Sequence, residues 1–254
     1  MMDLKKFSNA DSVASECLKR FPDTANSSFL NYAARSNYWR SVELFGAGDF
    51  ESAAEYAEKA QNLAVRAGKD SAVLADEFAT LIKVIKAGEK NKSVKPLYVH
   101  RMKIIIIPET DAKDEGNTVH IKSSVTDEDV FMTNLSAKFV KRFIEASTGG
   151  KLGMDIVVDK PSIKLTRIKD NSDIDTENRK NRTPDLDYFV SQNEDYFIKA
   201  VNDFDTFVLI WSAKEFNVAN GGQRRYNFSS ADISVMRGYN QITAERISYN
   251  GPDL

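Results

Sequence analysis

Imidazole and thiol are almost missing from this chain of 254 residues, which has two histidines, His100 and His120, and one cysteine, Cys17. A single cysteine cannot close an intrachain disulfide, so the fold must hold by packing alone. Two imidazoles leave little material for a histidine metal site or a His-activated nucleophile. An excess of one charge sign is missing too. Lys and Arg number 35 against 37 Asp and Glu, a formal net charge of −2 with the signs well mixed. No basic block is long enough to track nucleic acid or an anionic membrane, and neither is expected as a partner. No stretch approaches the ~20 apolar residues of a membrane span, and residues 1–20 hold no apolar core of signal-peptide length. These absences favour a soluble, cytoplasmic protein with no cofactor. The turn-like end Ser248–Leu254 does not resemble a domain-closing element, which favours a chain continuing beyond it.

Proline is scarce as well, and its placement divides the chain. Only Pro22 precedes Pro96, and the first 95 residues are Ala-rich and helical in period. A helix is expected from about Ser27 to Ala47, carrying Phe29, Tyr32, Ala33, Trp39, Val42 and Phe45. Gly46-Ala47-Gly48-Asp49 closes it, because glycine tolerates the left-handed cap conformation. A second helix, Phe50 to Ala67, spaces Ala53, Ala57, Ala60 and Ala64 by three and four. That small-residue stripe lets another helix come close. A third starts at an Asp70/Ser71 cap and carries Leu74, Phe78, Leu81, Ile82 and Ile85 on one face. Residues 1–95 therefore read as a three-helix bundle.

Residues 96–254 read as a mixed α/β domain. Leu97–Pro108 contains Ile104-Ile105-Ile106-Ile107, four isoleucines in a row. Alternate side chains of a strand point to opposite faces, so this run implies a central strand of a sheet covered on both sides. Glu109–Asn117 reads as a charged loop. Thr126-Asp127-Glu128-Asp129 resembles a capping box opening a helix with Met132, Leu135, Phe139, Val140 and Phe143 on one face. Thr148-Gly149-Gly150 ends it. Met154–Val158 and Ile163–Ile168 read as two strands joined at Asp159-Lys160-Pro161. Lys169–Arg182 reads as an exposed loop. Thr183-Pro184-Asp185 starts a helix with Leu186, Phe189, Val190, Phe197, Val201 and Phe204 buried, and Asp205–Trp211 is a second buried strand. A short strand fits Ile233–Met236. The expected class is α+β or α/β, a helical bundle followed by a mixed, partly parallel sheet with flanking helices.

Two resemblances bear on function. The segment Gly48-Asp49-Phe50-Glu51-Ser52-Ala53-Ala54-Glu55-Tyr56-Ala57-Glu58-Lys59-Ala60 resembles the second half of a tetratricopeptide repeat, with Gly48, Ala53 and Ala60 at its small-residue positions. The upstream Trp and Leu-Gly positions of that repeat are occupied by Asn37, Arg40 and Ser41. A bundle of the microtubule-interacting-and-transport type shows a similar pattern. The resemblance implies a helical surface that docks a protein or peptide, with Tyr32, Trp39 and Tyr56 as the candidate partner-binding residues. Over residues 100–230, the order is an apolar strand, a helix ending in Phe143–Leu152, an extended pair, a second helix and Phe204–Trp211. This looks like the N-terminal half of a zincin-type metallopeptidase domain.

The chemistry such a peptidase needs is not in the sequence. Its zinc helix carries H-E-x-x-H, two imidazoles one turn apart with a glutamate base. His100 and His120 do not form that motif and read as packing or surface residues. No metal ligand and no catalytic residue is assigned. Asp170, Asp173, Asp175 and Glu177 offer oxygen ligands in one loop but lack the calcium-loop spacing and glycine. Asp185 and Asp187 suit a helix N-terminus. Gly221, Gly222, Arg224 and Arg225 could contact an anion through backbone N–H groups and guanidinium. The sequence thus favours a non-catalytic protein-interaction module. The competing expectation is the N-terminal portion of a zinc metallopeptidase whose metal-binding helix lies beyond residue 254.

Overall fold

A computed structural model describes residues 5–20, 27–68, 71–117, 120–171, 181–212, 228–232 and 237–243. The chain forms two compact units, one comprising Met1–Val99 with Ala137–Met154, the other His100–Ser136 with Asp155–Asp253. The class is α+β.

The first unit holds α1 (Lys5–Arg20), α2 (Ser27–Ala47), α3 (Phe50–Ala67) and α4 (Ala72–Asn91). Each helix packs on the next, so the three expected helices are joined by one before them. Small side chains set how closely they approach. Ala53, Ala57, Ala60 and Ala64 of α3 are all fully buried. Ser41 Oγ donates to the Ala53 carbonyl at 2.7 Å, so α2 and α3 nearly touch backbone to side chain. Bulk enters where the helices diverge. Tyr38 stacks on Phe78 at 5.1 Å, and Phe45 meets Phe50 and Phe139 edge-on at 5.8 and 5.7 Å. Phe139 comes from the C-terminal half of α5 (Asp127–Ser147). Gly48 takes φ of 87° in the two-residue turn between α2 and α3, and Asp49 caps α3 by accepting from Ser52 N at 3.2 Å. Ser71 departs from the expected cap. It sits at the N-cap of α4, but its hydroxyl donates to Asn31 Oδ1 and so fastens α4 to α2.

The larger sheet is built from β1 (Tyr98–Ile106), β4 (Leu152–Asp159), β7 (Thr206–Trp211), β8 (Phe228–Asp232) and β9 (Arg237–Thr243), in the order β4-β1-β7-β9-β8. β1 and β7 run parallel with Ile105 opposite Leu209, β7 and β9 are parallel, and β8 is antiparallel to β9. Ile104 to Ile107 and Phe207 to Trp211 are buried throughout, as central strands covered on both faces require. A second sheet holds β2 (Glu109–Lys113), β3 (His120–Ser124), β5 (Lys164–Asn171) and β6 (Asn181–Pro184), in the order β3-β2-β5-β6. The sheets share a core that includes Ile105, Ile107, Ile121, Leu165, Phe189 and Trp211.

Several local expectations change. Glu109–Lys113 is a strand, not a loop, with Thr110 and Ala112 buried between exposed Glu109 and Lys113. The two strands flanking Asp159-Lys160-Pro161 do not pair; the linker carries the chain from one sheet to the other. Pro184 ends β6 opposite Ile168 instead of opening a helix. Asp185 is the N-cap, accepting from Tyr188 N at 3.3 Å. The helix after it is two, α6 (Leu186–Gln192) and α7 (Glu194–Val201), divided where Asn193 donates its amide to the Phe189 carbonyl at 2.8 Å. The capping box forms. Asp129 accepts from Thr126 N at 2.8 Å and from Thr126 Oγ1, while Asp129 N donates back to that hydroxyl at 3.2 Å. The strand expected at Ile233–Met236 and most of the 169–182 loop lie outside the described residues.

Candidate functional site

The three aromatic candidates fall on two helices of the first unit. Tyr32 and Trp39 are two turns apart on α2, which puts them on one face. Tyr32 is exposed, at 57% of its surface. Trp39 is half-buried, its ring edge-on to Tyr38 at 5.4 Å. Tyr56 is on α3, with Lys59 Nζ 4.7 Å from the ring centroid, the geometry of a surface cation–π pair. The fastening of Asn31 to Ser71 places the start of α4 beside the turn of α2 that carries Tyr32. Val65 near the end of α3 and Val73 near the start of α4 are exposed at that same end of the bundle. The alanine stripe contributes nothing to this surface, being wholly occupied by helix packing.

The first unit also has a recess of about 140 Å³, walled by Phe50, Val94 and Pro96 and holding Lys92, Arg142 and Glu145. Glycines make room for it. A Cβ on Gly150 would lie 2.7 Å from Val94 Cβ, and one on Gly88 would lie 2.8 Å from the Phe50 ring. Arg142 Nη1 donates to Glu145 Oε2 at 3.0 Å, while its Nε is buried with no acceptor among the described residues. No local pattern marks this recess, since its residues come from three distant stretches of the chain.

In the second unit both histidines have polar partners. His100 Nε2 lies 2.9 Å from Thr206 Oγ1, and Asp205, whose carboxylate accepts from Arg101 N at 2.8 Å, is 4.0 Å from Nδ1. Hydroxyl, imidazole and carboxylate thus adjoin, but they tie the start of β7 to β1. The carboxylate is engaged by the backbone of the neighbouring strand, and the Nδ1 separation is longer than a hydrogen bond. His120 Nε2 is 2.5 Å from Asp111 Oδ1, and Lys164 Nζ is 3.1 Å from Asp111 Oδ2. The ring and the ammonium hold the Asp111 carboxyl down at about 2 and, in return, Asp111 raises Lys164. Lys103, Asp159 and Tyr196 form a third cluster. The ammonium is 3.1 Å from Asp159 and 4.6 Å from the Tyr196 centroid, and the phenol donates to the same carboxylate at 2.8 Å. Burial, then the bond to Asp159, pushes the Tyr196 phenol up. For Asp159, burial acts upward but the Tyr196 and Lys103 contacts prevail, and its carboxyl is held below the usual range.

Among the described residues no group of three His, Cys, Asp or Glu could hold a metal ion. Asp185 serves as the helix cap and pairs with Arg167 Nε at 3.1 Å, while Asp187 lies 3.6 Å from Lys169 Nζ. Cys17 is a free, half-buried thiol on α1. Gly221, Gly222, Arg224 and Arg225, with Asp173, Asp175 and Glu177, lie outside the described residues. No described helix is long and apolar enough to cross a membrane. No protein-family model matches the chain, and neither the curated proteins nor the solved structures contain a match to it.

Proposed function

We propose that the protein is a non-catalytic interaction module whose helical unit presents a surface to a protein or peptide partner. The carrying observation is Tyr32. It stands on a helix whose neighbouring Leu30, Ala33 and Ala34 are buried, yet it leaves 57% of its surface to solvent. Val65 at 64% and Val73 at 71% extend the apolar surface at that end of the bundle. Tyrosine is among the residues that most often anchor protein interfaces, because a rigid ring buries much area at little entropic cost. The likeness of Gly48–Ala60 to a tetratricopeptide hairpin points to the same kind of partner. A photo-crosslinking amino acid in place of Tyr32 tests this in cells of the source organism. A discrete adduct that is absent when the probe replaces exposed Glu55, and is identified by mass spectrometry, is expected. Identical adduct patterns at both positions would overturn the reading.

A second reading rests on the larger sheet. β1, β7 and β9 are parallel, α5 lies in sequence between β1 and β4, and α6 and α7 precede β7. This is the alternation on which the zincin resemblance depends. It supports the α/β unit as the N-terminal portion of a zinc metallopeptidase. The residues present do not fit zinc, since the sequence has no H-E-x-x-H and its two histidines lie in different clusters. In this reading the metal ligands lie beyond residue 254, and an H-E-x-x-H within about a hundred codons downstream, one helix having to follow the sheet, is expected. A stop codon after Leu254 would remove it.

A further inference from the structure

The recess of the first unit sits in a surface of strongly one-signed charge. Residues 86–95 and 137–151 together carry eight Lys and Arg against two Glu, in a chain that is nearly neutral as a whole. The two segments adjoin, as Leu97 N donates to the Lys151 carbonyl at 2.8 Å and Gly150 abuts Val94. Lys86 is neutralised by Glu58 on α3. Lys92, Lys95 and Lys151 have no carboxylate partner among the described residues. The C-terminal ends of α4 and α5 oppose this charge, each with about half a negative charge. The excess of lysine and arginine outweighs both. Several of the last carbonyls are also occupied, Glu145 O by Gly150 N at 2.7 Å and Ala146 O by Gly149 N at 3.2 Å.

Arg142 is the group that this surface leaves incomplete. One nitrogen of its fork is held by Glu145, its buried Nε has no acceptor among the described residues, and 34% of the side chain stays open to solvent. A carboxylate is the acceptor that makes the strongest charge-assisted bond to the exposed part of a guanidinium. Beside the recess the chain exposes Leu97, at 85%, and Val99, whose Cγ2 would lie 3.3 Å from a Cβ on Gly153 of the recess wall. Cation and apolar strip together describe a ligand with a carboxylate next to a hydrophobic side chain.

We propose that this recess docks an acidic, apolar peptide segment of a protein partner. A carboxylate takes Arg142 and Lys92, and an apolar side chain covers Leu97 and Val99. A recess of about 140 Å³ admits one side chain and not a continuous phosphate backbone, so a peptide suits it better than nucleic acid. This surface is distinct from the one around Tyr32 and shares with it only the premise that the helical unit binds protein.

The experiment selects a random-peptide display library on the full chain and measures the enriched peptides by fluorescence anisotropy. Enriched sequences with Asp or Glu beside a large apolar residue are expected. Their affinity should fall about tenfold or more with Lys92→Gln and with Arg142→Gln, as for loss of one partner of a desolvated charge pair. It should be unchanged with Tyr32→Ser. Lys92 is exposed, so its variant keeps the result interpretable if Arg142→Gln unfolds in a thermal melt. Four results would overturn the proposal: no enriched peptide, peptides without acidic residues, affinities indifferent to both substitutions, or tighter binding of a labelled oligothymidine. Peptides lost only with Tyr32→Ser would refute it while leaving the Tyr32 surface standing.

Discussion

The helical unit and the α/β unit solve the same packing problem with opposite materials. In the helical unit, α3 buries four alanines, and the bond from Ser41 to the Ala53 carbonyl shows how near its neighbour comes. In the α/β unit, β1 buries four isoleucines and β7 buries Phe207 to Trp211. Helices gain stability here from closeness, which small side chains permit, whereas stacked layers need large side chains to fill the space between them. The difference also bears on the proposed function. The alanine stripe uses up the inner faces of the helices, and the proposed function assigns the partner to apolar surface left outside, Tyr32 above all. In the α/β unit most large side chains are committed to the core, and both histidines are tied to neighbouring strands.

Substitution can disrupt either mode of packing. The largest effect is expected from Ile105→Ala. A fully buried central-strand isoleucine leaves a cavity when truncated, and urea unfolding should show a loss of about 2–5 kcal/mol. In the helical unit the damaging change is enlargement. Ala57→Leu should cost about 1–3 kcal/mol by overpacking, whereas Ala57→Gly should cost only about 1 kcal/mol, the difference in helix propensity. Equal costs for Ala57→Leu and Ala57→Gly in the same unfolding assay would show that α3 is not closely packed.

A smaller effect tests how α5 begins. Asp129 is buried and accepts from both the backbone and hydroxyl of Thr126, so Asp129→Ala should cost about 1 kcal/mol of stability. Thr126→Ala should cost a similar amount, and the double substitution less than the sum, because the two belong to one motif. The smallest effect is electrostatic. Asp111 has its carboxyl lowered from 3.8 to about 2 by His120 and Lys164. A carboxyl lowered in the folded state stabilises it above the unfolded value, and that contribution disappears as pH falls through about 2. The group is solvent-exposed, so the effect on unfolding will be slight. A carbon-detected NMR titration should nevertheless place its midpoint near 2, and nearer the ordinary value in His120→Ala.

Much of the fold was legible because it is written locally. The isoleucine run, the alanine stripe, the Gly48-Asp49 turn and the Thr126–Asp129 box each depend on neighbours within a few residues. What escaped depends on distant ones. Glu109–Lys113 has too little apolar bulk to read as a strand, and it becomes one because β3 and β5 flank it on either side. The strands on either side of Pro161 look like a hairpin, but each finds its partners elsewhere. Ser71 has the chemistry of a cap and serves as a tether to Asn31 instead, a choice set by the position of α2. The same rule governs the sites. Tyr32 could be named from the sequence, but its exposure could not. The recess around Arg142 was invisible because Phe50, Gly88 to Pro96 and Arg142 to Gly153 meet only in three dimensions.

On the proposed function, the helical unit docks its partner at Tyr32 without that residue supporting the fold. The most direct measurement compares thermal unfolding, and affinity capture of the partner identified by crosslinking at position 32, for the native chain and Tyr32→Ser. The account predicts an unchanged melting temperature, with loss of the partner that crosslinks at this position. A lowered melting temperature with the partner retained would contradict it, showing that Tyr32 belongs to the packing of the bundle and not to an interface.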